Sequence, residues 1–342
     1  MSEYRLVVTT ILGLEELLKR EIEELIPSSQ VSVSIGGRIE VACKNLPSCI
    51  KTIVNKSKLA EHVYLQVWRY CGEISPEQLS SIFEPAIEKI KEFMWRGVKF
   101  AVKSEHTDDF RVSSLEISKI IGELIEKRYH YLDPVVSLDF PDLVFYVFIS
   151  SKRAELSIQL TKYRPLHERG YRIYVHPSVL NPIVANALLY LCDCRSLLDP
   201  FTGSGTIPIE ADELDLKVGF DVNIKHVIGA KKNAKAAGSL ADFMVADVRF
   251  PPLRPGVFDA IVCNPPYGLR ERPVGGLRRV YDGLFCLASS VLKRNGIICI
   301  VTVRRRLVKQ LAEKYGFRIT KSIKIYQGGL TSYIFRLCRN LF

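Results

Sequence analysis

The sequence predicts an α/β protein: a doubly wound domain in its C-terminal part, preceded by small α+β domains. Three observations lead there. From Asn181 onward short apolar strands and helices alternate without interruption. Before about Leu160 strand–helix pairs are mixed with late hairpins, an order that suits small α+β units better than one large parallel sheet. Between Thr161 and Pro182 the pattern breaks into TKYRPLHERGYRIYVHPSVLNP, whose three prolines mark a linker. The expected division is 1–62, 63–160, a linker at 161–180, and 181–342.

The front half opens with the strand YRLVVTTI and the helix GLEELLKREIEELI. A hairpin follows at VSVSIGGRIEVAC, with Gly36 and Gly37 at its turn. A second round runs through KNLPSCIKTIVNKSKLA and the strand EHVYLQVWRY to a helix from Ser75 to about Trp95, started by Ser75 and Pro76. The third holds the strand KFAVKS, the helix SSLEISKIIGELIEKRYH, the strands VVSLDF and LVFYVFISS around the turn Pro141–Asp142, and the closing strand AELSIQL. The second half reads helix PIVANALLYL, strand SLLDPF, helix TIPIEADEL, strand KVGFDV, helix NIKHVIGAKKNAKAAG, and strands DFMVADV and FDAIVCNPP. Helix RRVYDGLFCLASSVLK, strand GIICIVTV, helix RLVKQLAEKYG and two strands complete it.

Composition narrows the classes. With 47% apolar residues in a chain of 342, each domain can bury a core without staples. The nine cysteines are scattered, and Cys192 and Cys194 are too close for a zinc knuckle, so all read as buried thiols of a reducing cytoplasm with no metal. No stretch suits a membrane span, so no membrane partner is expected. The 48 Lys and Arg against 37 Asp and Glu leave +11, a balance that attracts a polyanion.

In LLDPFTGSGTIPIEA an apolar strand meets a helix, the edge at which open α/β sheets bind ligands. Gly203 and Gly205 allow a sharp turn and close approach of a ligand. A nicotinamide fold would carry GxGxxG there. Instead Asp199 precedes the glycines, where it would repel a pyrophosphate but accept from an ammonium group, as on the amino-acid end of S-adenosylmethionine. Phe201, Ser204 and Thr206 share the turn and join this cofactor set. Asp221, closing KVGFDV, is placed for ribose hydroxyls, and Asp247, near the end of FMVADV, for an adenine amine. A lone Asp is more often a cap or turn residue; three at successive strand ends after a glycine loop make a site.

Asn264, Pro265, Pro266 and Tyr267 end the next strand in VCNPPYG. Strand termination explains the prolines alone. The lone pair of a base amine is delocalised into the ring. If the Asn264 side-chain oxygen and the Pro265 carbonyl each accept one amine hydrogen, that lone pair can be aimed at a methyl sulfonium, while Tyr267 offers a ring for a flipped base.

The loop and NPPY together resemble class I amino-methyltransferases over roughly Asn181–Phe342, with a Rossmann-like fold. DPFTGSGTIPIEA with NPPYG is most similar to RNA guanine-N2 methyltransferases, and LHERGYR resembles their pre-domain segment. SEHTDDFRVSSLEISKIIGELI followed by VSLDFPDLVFYVFI resembles a THUMP RNA-binding domain, preceded by a ferredoxin-like segment. The resemblance implies a THUMP-containing tRNA methyltransferase that makes N2-methylguanosine at nucleotide 6, with the front half gripping the 3′ end and acceptor stem of tRNA. It implies no stable protein partner. Asn264 favours this group over enzymes acting on nucleotide 10, which usually carry Asp there.

Arg164, Arg169 and Arg172 in the linker, Arg270, Arg272 and Arg278 after NPPYG, and Arg304 after the fifth strand are the candidate RNA contacts. The alternatives are guanine-N2 methylation at another tRNA or ribosomal RNA site, an adenine-amine methyltransferase, methylation of a protein glutamine, and a non-catalytic RNA-binding protein.

Overall fold

The computed structural model describes residues 4–161, 163–175, 179–269 and 275–339. The chain divides into two units, residues 1–10 with 19–166, and residues 11–18 with 167–342.

The first unit carries an eight-stranded sheet in the order β2-β3-β1-β4-β8-β7-β5-β6. In chain order the elements are β1 (Tyr4–Thr9), α1 (Glu15–Leu25, whose first turn is counted with the second unit), β2 (Gln30–Ser34), β3 (Arg38–Cys43), α2 (Leu46–Lys56), β4 (Val63–Cys71), α3 (Leu79–Lys89), β5 (Lys99–His106), α4 (Ser114–Tyr129), β6 (Val135–Val136), β7 (Leu143–Ser150) and β8 (Arg153–Gln159). Gly36 and Gly37 both take positive φ, so the β2–β3 connection is a tight hairpin turn. Asn45 caps α2 by accepting from the Ser48 amide, and Ser113 caps α4 through Glu116. The helix expected from Ser75 to Trp95 is shorter: a 3-10 turn occupies Pro76–Gln78 and α3 stops at Lys89. The strand expected at VVSLDF keeps only two residues, and Leu138 and Phe140 are exposed beyond it. Phe83 of α3 and Ile117 and Ile121 of α4 bury against Phe100, Phe145 and Leu156 of the sheet.

Arg38 and Glu155 lie in the same sheet and are buried, 1% and 2% exposed. Their groups are 3.4 Å apart, and the Arg38 guanidinium lies 3.0 Å from the centre of the Phe148 ring. Arg69 and Arg153 also pair with Glu155. Desolvation pulls the Arg38 pKa down, and the surrounding acidic groups oppose it.

The second unit carries α5 (Pro182–Tyr190), β9 (Ser196–Asp199), α6 (Thr206–Glu210), β10 (Leu216–Asp221), α7 (Ile224–Ala237), β11 (Asp242–Val245), β12 (Phe258–Cys263), α8 (Leu277–Val291), β13 (Leu292–Thr302), α9 (Arg305–Lys314), β14 (Phe317–Gln327) and β15 (Leu330–Arg339). Its sheet runs β11-β10-β9-β12-β13-β15-β14, parallel from β11 to β13 and closed by an antiparallel hairpin. This is the doubly wound, Rossmann-like arrangement. The chain winds outward from β9 to β11 and returns to β12, so the switch point lies between β9 and β12. Leu198, Ile261 and Ile298 are buried along the sheet with Leu284 and Phe285 of α8.

Cys71 and Cys286 are exposed, so the expectation of nine buried thiols holds only in part; a thiol as small as a methyl group can sit at either kind of position. None of the described helices is long and apolar enough to cross a membrane. No group of three or more His, Cys, Asp or Glu among the described residues is arranged to hold a metal ion.

Replacing Arg38 by Ala leaves Glu155 buried with fewer partners, and losing one member of a buried pair costs about 3–5 kcal/mol. Urea unfolding of Arg38→Ala is expected to fall near the lower end, because Arg69 and Arg153 remain; a loss below about 1 kcal/mol would show the pair to be inert.

Candidate active site

The carboxyl ends of β9, β10 and β12, with the segment following β11, converge on a cavity of about 780 Å³ at the switch point. It is lined by Asp199, Phe201, Gly203, Ser204 and Thr206 of the glycine turn, by Asp221 and Asp247, and by Asn264–Tyr267. All the proposed cofactor and catalytic residues except Gly205 line it. Gly205 lies behind the turn at φ +83, where a Cβ would come within 3.0 Å of Ala230 and Phe243, so only glycine lets α6 seat there.

The three acids differ in their surroundings. Asp199 is 1% exposed and accepts from the Phe201 amide at 3.1 Å. Burial, reinforced by nearby Asp221, pushes its carboxyl up to about 8. Asp221 accepts from the Gly203 amide at 3.1 Å and the Asn223 amide at 2.9 Å, and one oxygen lies 3.3 Å from the His226 ring. It therefore ties the end of β10 to the glycine turn. Asp247 stands two residues beyond β11 and is gripped by Arg249, whose Nε and Nη2 donate to its two oxygens at 2.9 and 2.5 Å; this contact lowers its pKa.

Two residues that the sequence did not single out fix the surroundings of the turn, and one of them, Asn233, holds the turn itself. Asn233 of α7 is 1% exposed; its amide donates to the Ser204 and Tyr174 carbonyls at 3.0 and 2.9 Å, and its oxygen accepts from the Tyr174 amide at 2.7 Å. Glu210, at the end of α6, accepts from Arg169, the Tyr171 hydroxyl and Asn186. The signal for Asn233 was present: a poor helix former placed three residues after buried Ala230, on the inward face of α7.

Beyond β12, the Asn264 side-chain oxygen is buried and has no hydrogen-bond partner among the described residues. Tyr267 lies on the cavity wall; burial pushes its hydroxyl up to about 12 while a hydrogen bond with Ser332 of β15 opposes the shift. Gln327, Leu330 and Ser332 bring the β14–β15 hairpin to the same cavity. They are far from NPPY in sequence, and no local pattern marks them.

The candidate RNA arginines divide. Arg164 and Arg278 are exposed. Arg169 is engaged in an ion pair with buried Glu210 at 3.1 Å. Arg172 is half-buried, and its Nε has no partner among the described residues. Arg304 donates its Nε to the Tyr267 carbonyl at 2.8 Å. Arg270 and Arg272 lie outside the described residues.

The RMKL-like methyltransferase domain family matches residues 169–218 and 212–332, and the THUMP domain family matches residues 77–159. A tRNA (guanine(6)-N2)-methyltransferase from Thermus thermophilus is 31% identical, over 97% of this chain and 98% of its own length. One of the same name from Methanocaldococcus jannaschii is 26% identical over 96% and 98%. The crystal structure of TrmN from Thermus thermophilus superposes with a TM-score of 0.82 at 29% identity, covering 98% of this chain and all of that one.

The Asp199 carboxyl gives a pH prediction. Its folded pKa, about 8, lies above the unfolded value, about 3.9. Folding is therefore favoured by this group below the unfolded value, and that contribution is lost as pH rises toward 8. Asp199→Asn lacks the titration, so its melting temperature relative to wild type should climb between about pH 5 and pH 8 and then level off. Parallel melting curves across that window would contradict the raised pKa.

Proposed function

This chain belongs to the family of THUMP-containing tRNA guanine-N2 methyltransferases, and on that premise we propose that it methylates the exocyclic amine of guanine 6 in the acceptor stem of tRNA, using S-adenosylmethionine. One observation carries the chemistry: the Asn264 oxygen is a buried acceptor without a donor among the described residues, on the wall of a cavity with three acids at neighbouring strand ends.

The donor set suits the cofactor. Asp199 offers an acceptor for an ammonium group, and its raised pKa falls once a cation lies beside it. Asp221 is assigned to ribose hydroxyls. Asp247 is assigned to the adenine amine, using the lone pairs that Arg249 leaves available. Phe201, Ser204 and Thr206 complete the lining, and Gly203 and Gly205 shape the turn. When bound, S-adenosylmethionine supplies an electrophilic methyl group on a sulfonium.

The chain's own residues prepare the nucleophile. A paired acceptor-stem guanine must leave the helix to enter, and the Tyr267 ring gives it a face on which to stack. Asn264 Oδ1 and the Pro265 carbonyl accept the two hydrogens of its 2-amine. That pyramidalises the nitrogen and turns its lone pair out of conjugation with the ring. Catalysis then rests on orientation and fixed dipoles, with no strong base.

The RNA assignment draws on the +11 charge and the THUMP match at residues 77–159. In this reading the front half, as a ferredoxin-like segment at 1–62 and a THUMP domain at 63–160, holds the 3′ end. Residues 161–180 link it to the methyltransferase domain at 181–342. Exposed Arg164 and Arg278 are assigned to phosphates. The cytoplasm is the compartment this reading assigns.

Mass spectrometry of nucleosides from tRNA incubated with enzyme and labelled cofactor is expected to find label in N2-methylguanosine; label in an adenine derivative would overturn the substrate. Asn264→Ala should lose at least about a hundredfold in kcat, the scale of a misplaced reacting group, with cofactor affinity unchanged. Activity within about tenfold of wild type would remove Asn264 from the chemistry.

A further inference from the structure

The NPPY turn needs support from outside itself. Its prolines have no amide hydrogen to donate, and its first side chain has an oxygen with no partner among the described residues. Arg304 provides support at the other end. Its Nε donates to the Tyr267 carbonyl at 2.8 Å. Its own amide donates to the Thr302 hydroxyl at 2.9 Å, and that hydroxyl is 2.7 Å from the Tyr281 hydroxyl of α8. Thr302 and Tyr281 are both wholly buried. A chain of polar contacts therefore runs from α8 and the end of β13 to the last residue of the tetrapeptide.

The local helix does not account for an arginine here. Residue 304 is the N-cap of α9 and makes no side-chain capping bond. Arginine has no acceptor with which to cap, and its charge sits at the positive end of the helix dipole, where a cation is unfavourable. Close approach is also built in. Gly268, next to Tyr267, has φ +71, and a Cβ there would lie 3.4 Å from the Arg304 guanidinium.

We propose that Arg304 is a positioning residue for methyl transfer: by holding the Tyr267 carbonyl it fixes the turn that presents the Asn264 oxygen and the Tyr267 ring to the base. This rests on the reading of the site given above. It also sets Arg304 apart from the phosphate contacts. A phosphate contact needs only a positive charge, whereas a bond to one backbone carbonyl from a planar Nε–H depends on arginine's geometry.

The test compares wild type, Asn264→Ala, Arg304→Ala, Arg304→Lys and Thr302→Val in steady-state tRNA methylation, cofactor calorimetry, melting and RNA binding at several salt concentrations. Arg304→Ala should lose at least about tenfold in kcat, as for a loosened reacting geometry, with KM for tRNA, cofactor affinity and melting temperature near wild type. Arg304→Lys should keep the RNA affinity and its salt dependence while kcat stays low. Thr302→Val keeps the buried shape and removes the hydroxyl that anchors Arg304. It should lower kcat in the same sense, by about threefold or more, and it carries the test if the Arg304 variants melt early. A wild-type kcat in Arg304→Lys, or an Arg304→Ala defect confined to KM with a shallower salt dependence, would assign Arg304 to phosphate and overturn the proposal. Wild-type kcat in both Arg304→Ala and Thr302→Val overturns it as well. If wild type forms no N2-methylguanosine, or Asn264→Ala remains active, the reading of the site itself fails; Arg304 results count against positioning alone only when those two controls behave as expected.

Discussion

A buried hydrogen-bond acceptor without a donor costs about 1–3 kcal/mol, and among the described residues the Asn264 oxygen is such an atom. Left to itself, the loop would rotate that side chain toward water or toward a neighbouring amide. Much of the second unit prevents it. β12 pairs with β9 on one side and β13 on the other, so Cys263 and the residue after it emerge at a fixed height. Arg304 then holds the turn at its far end, by the Tyr267 carbonyl. The strain of an unsatisfied group is thus carried by the surrounding sheet, as expected where a site is shaped for a ligand.

The cofactor side follows the same principle with charge in place of a neutral amide. Asp199 is held in a position so dry that its carboxyl resists ionisation. Asp221 accepts from two backbone amides, and Asp247 is gripped by Arg249, which lowers its pKa. Three chemically identical side chains thus present three different environments along one cavity, which is what a ligand with an ammonium, a diol and an aromatic amine requires. Asn233 is the hidden member of this arrangement: one buried amide fixes the glycine turn and the segment preceding α5 relative to α7.

Legibility in the sequence followed distance along the chain. The glycine turn, the three acids and NPPY each lie where a strand gives way to the next segment, so strand–helix alternation alone brought them to one edge. Ser332, Gln327, Asn233 and the bond from Arg304 to Tyr267 join residues tens of positions apart, and no local pattern records such pairings. The front half shows the same limit. Its hairpin at Gly36–Gly37 was readable, but not the pairing of β1 with β4, which puts strands from both sides of residue 62 into one sheet. Nor was the burial of Arg38, a charged residue that periodicity would leave in solvent. Helix length failed where a 3-10 turn competed with the α-helix, at Pro76–Gln78.

The central claim is that the chain's site is built for the 2-amine of one guanine in tRNA. Inosine differs from guanosine only in lacking that amine. Methyl transfer should therefore be followed to two otherwise identical tRNAs, carrying guanosine or inosine at nucleotide 6. The account predicts stoichiometric label in the first and none in the second, whereas equal labelling of both would place the acceptor elsewhere and contradict it.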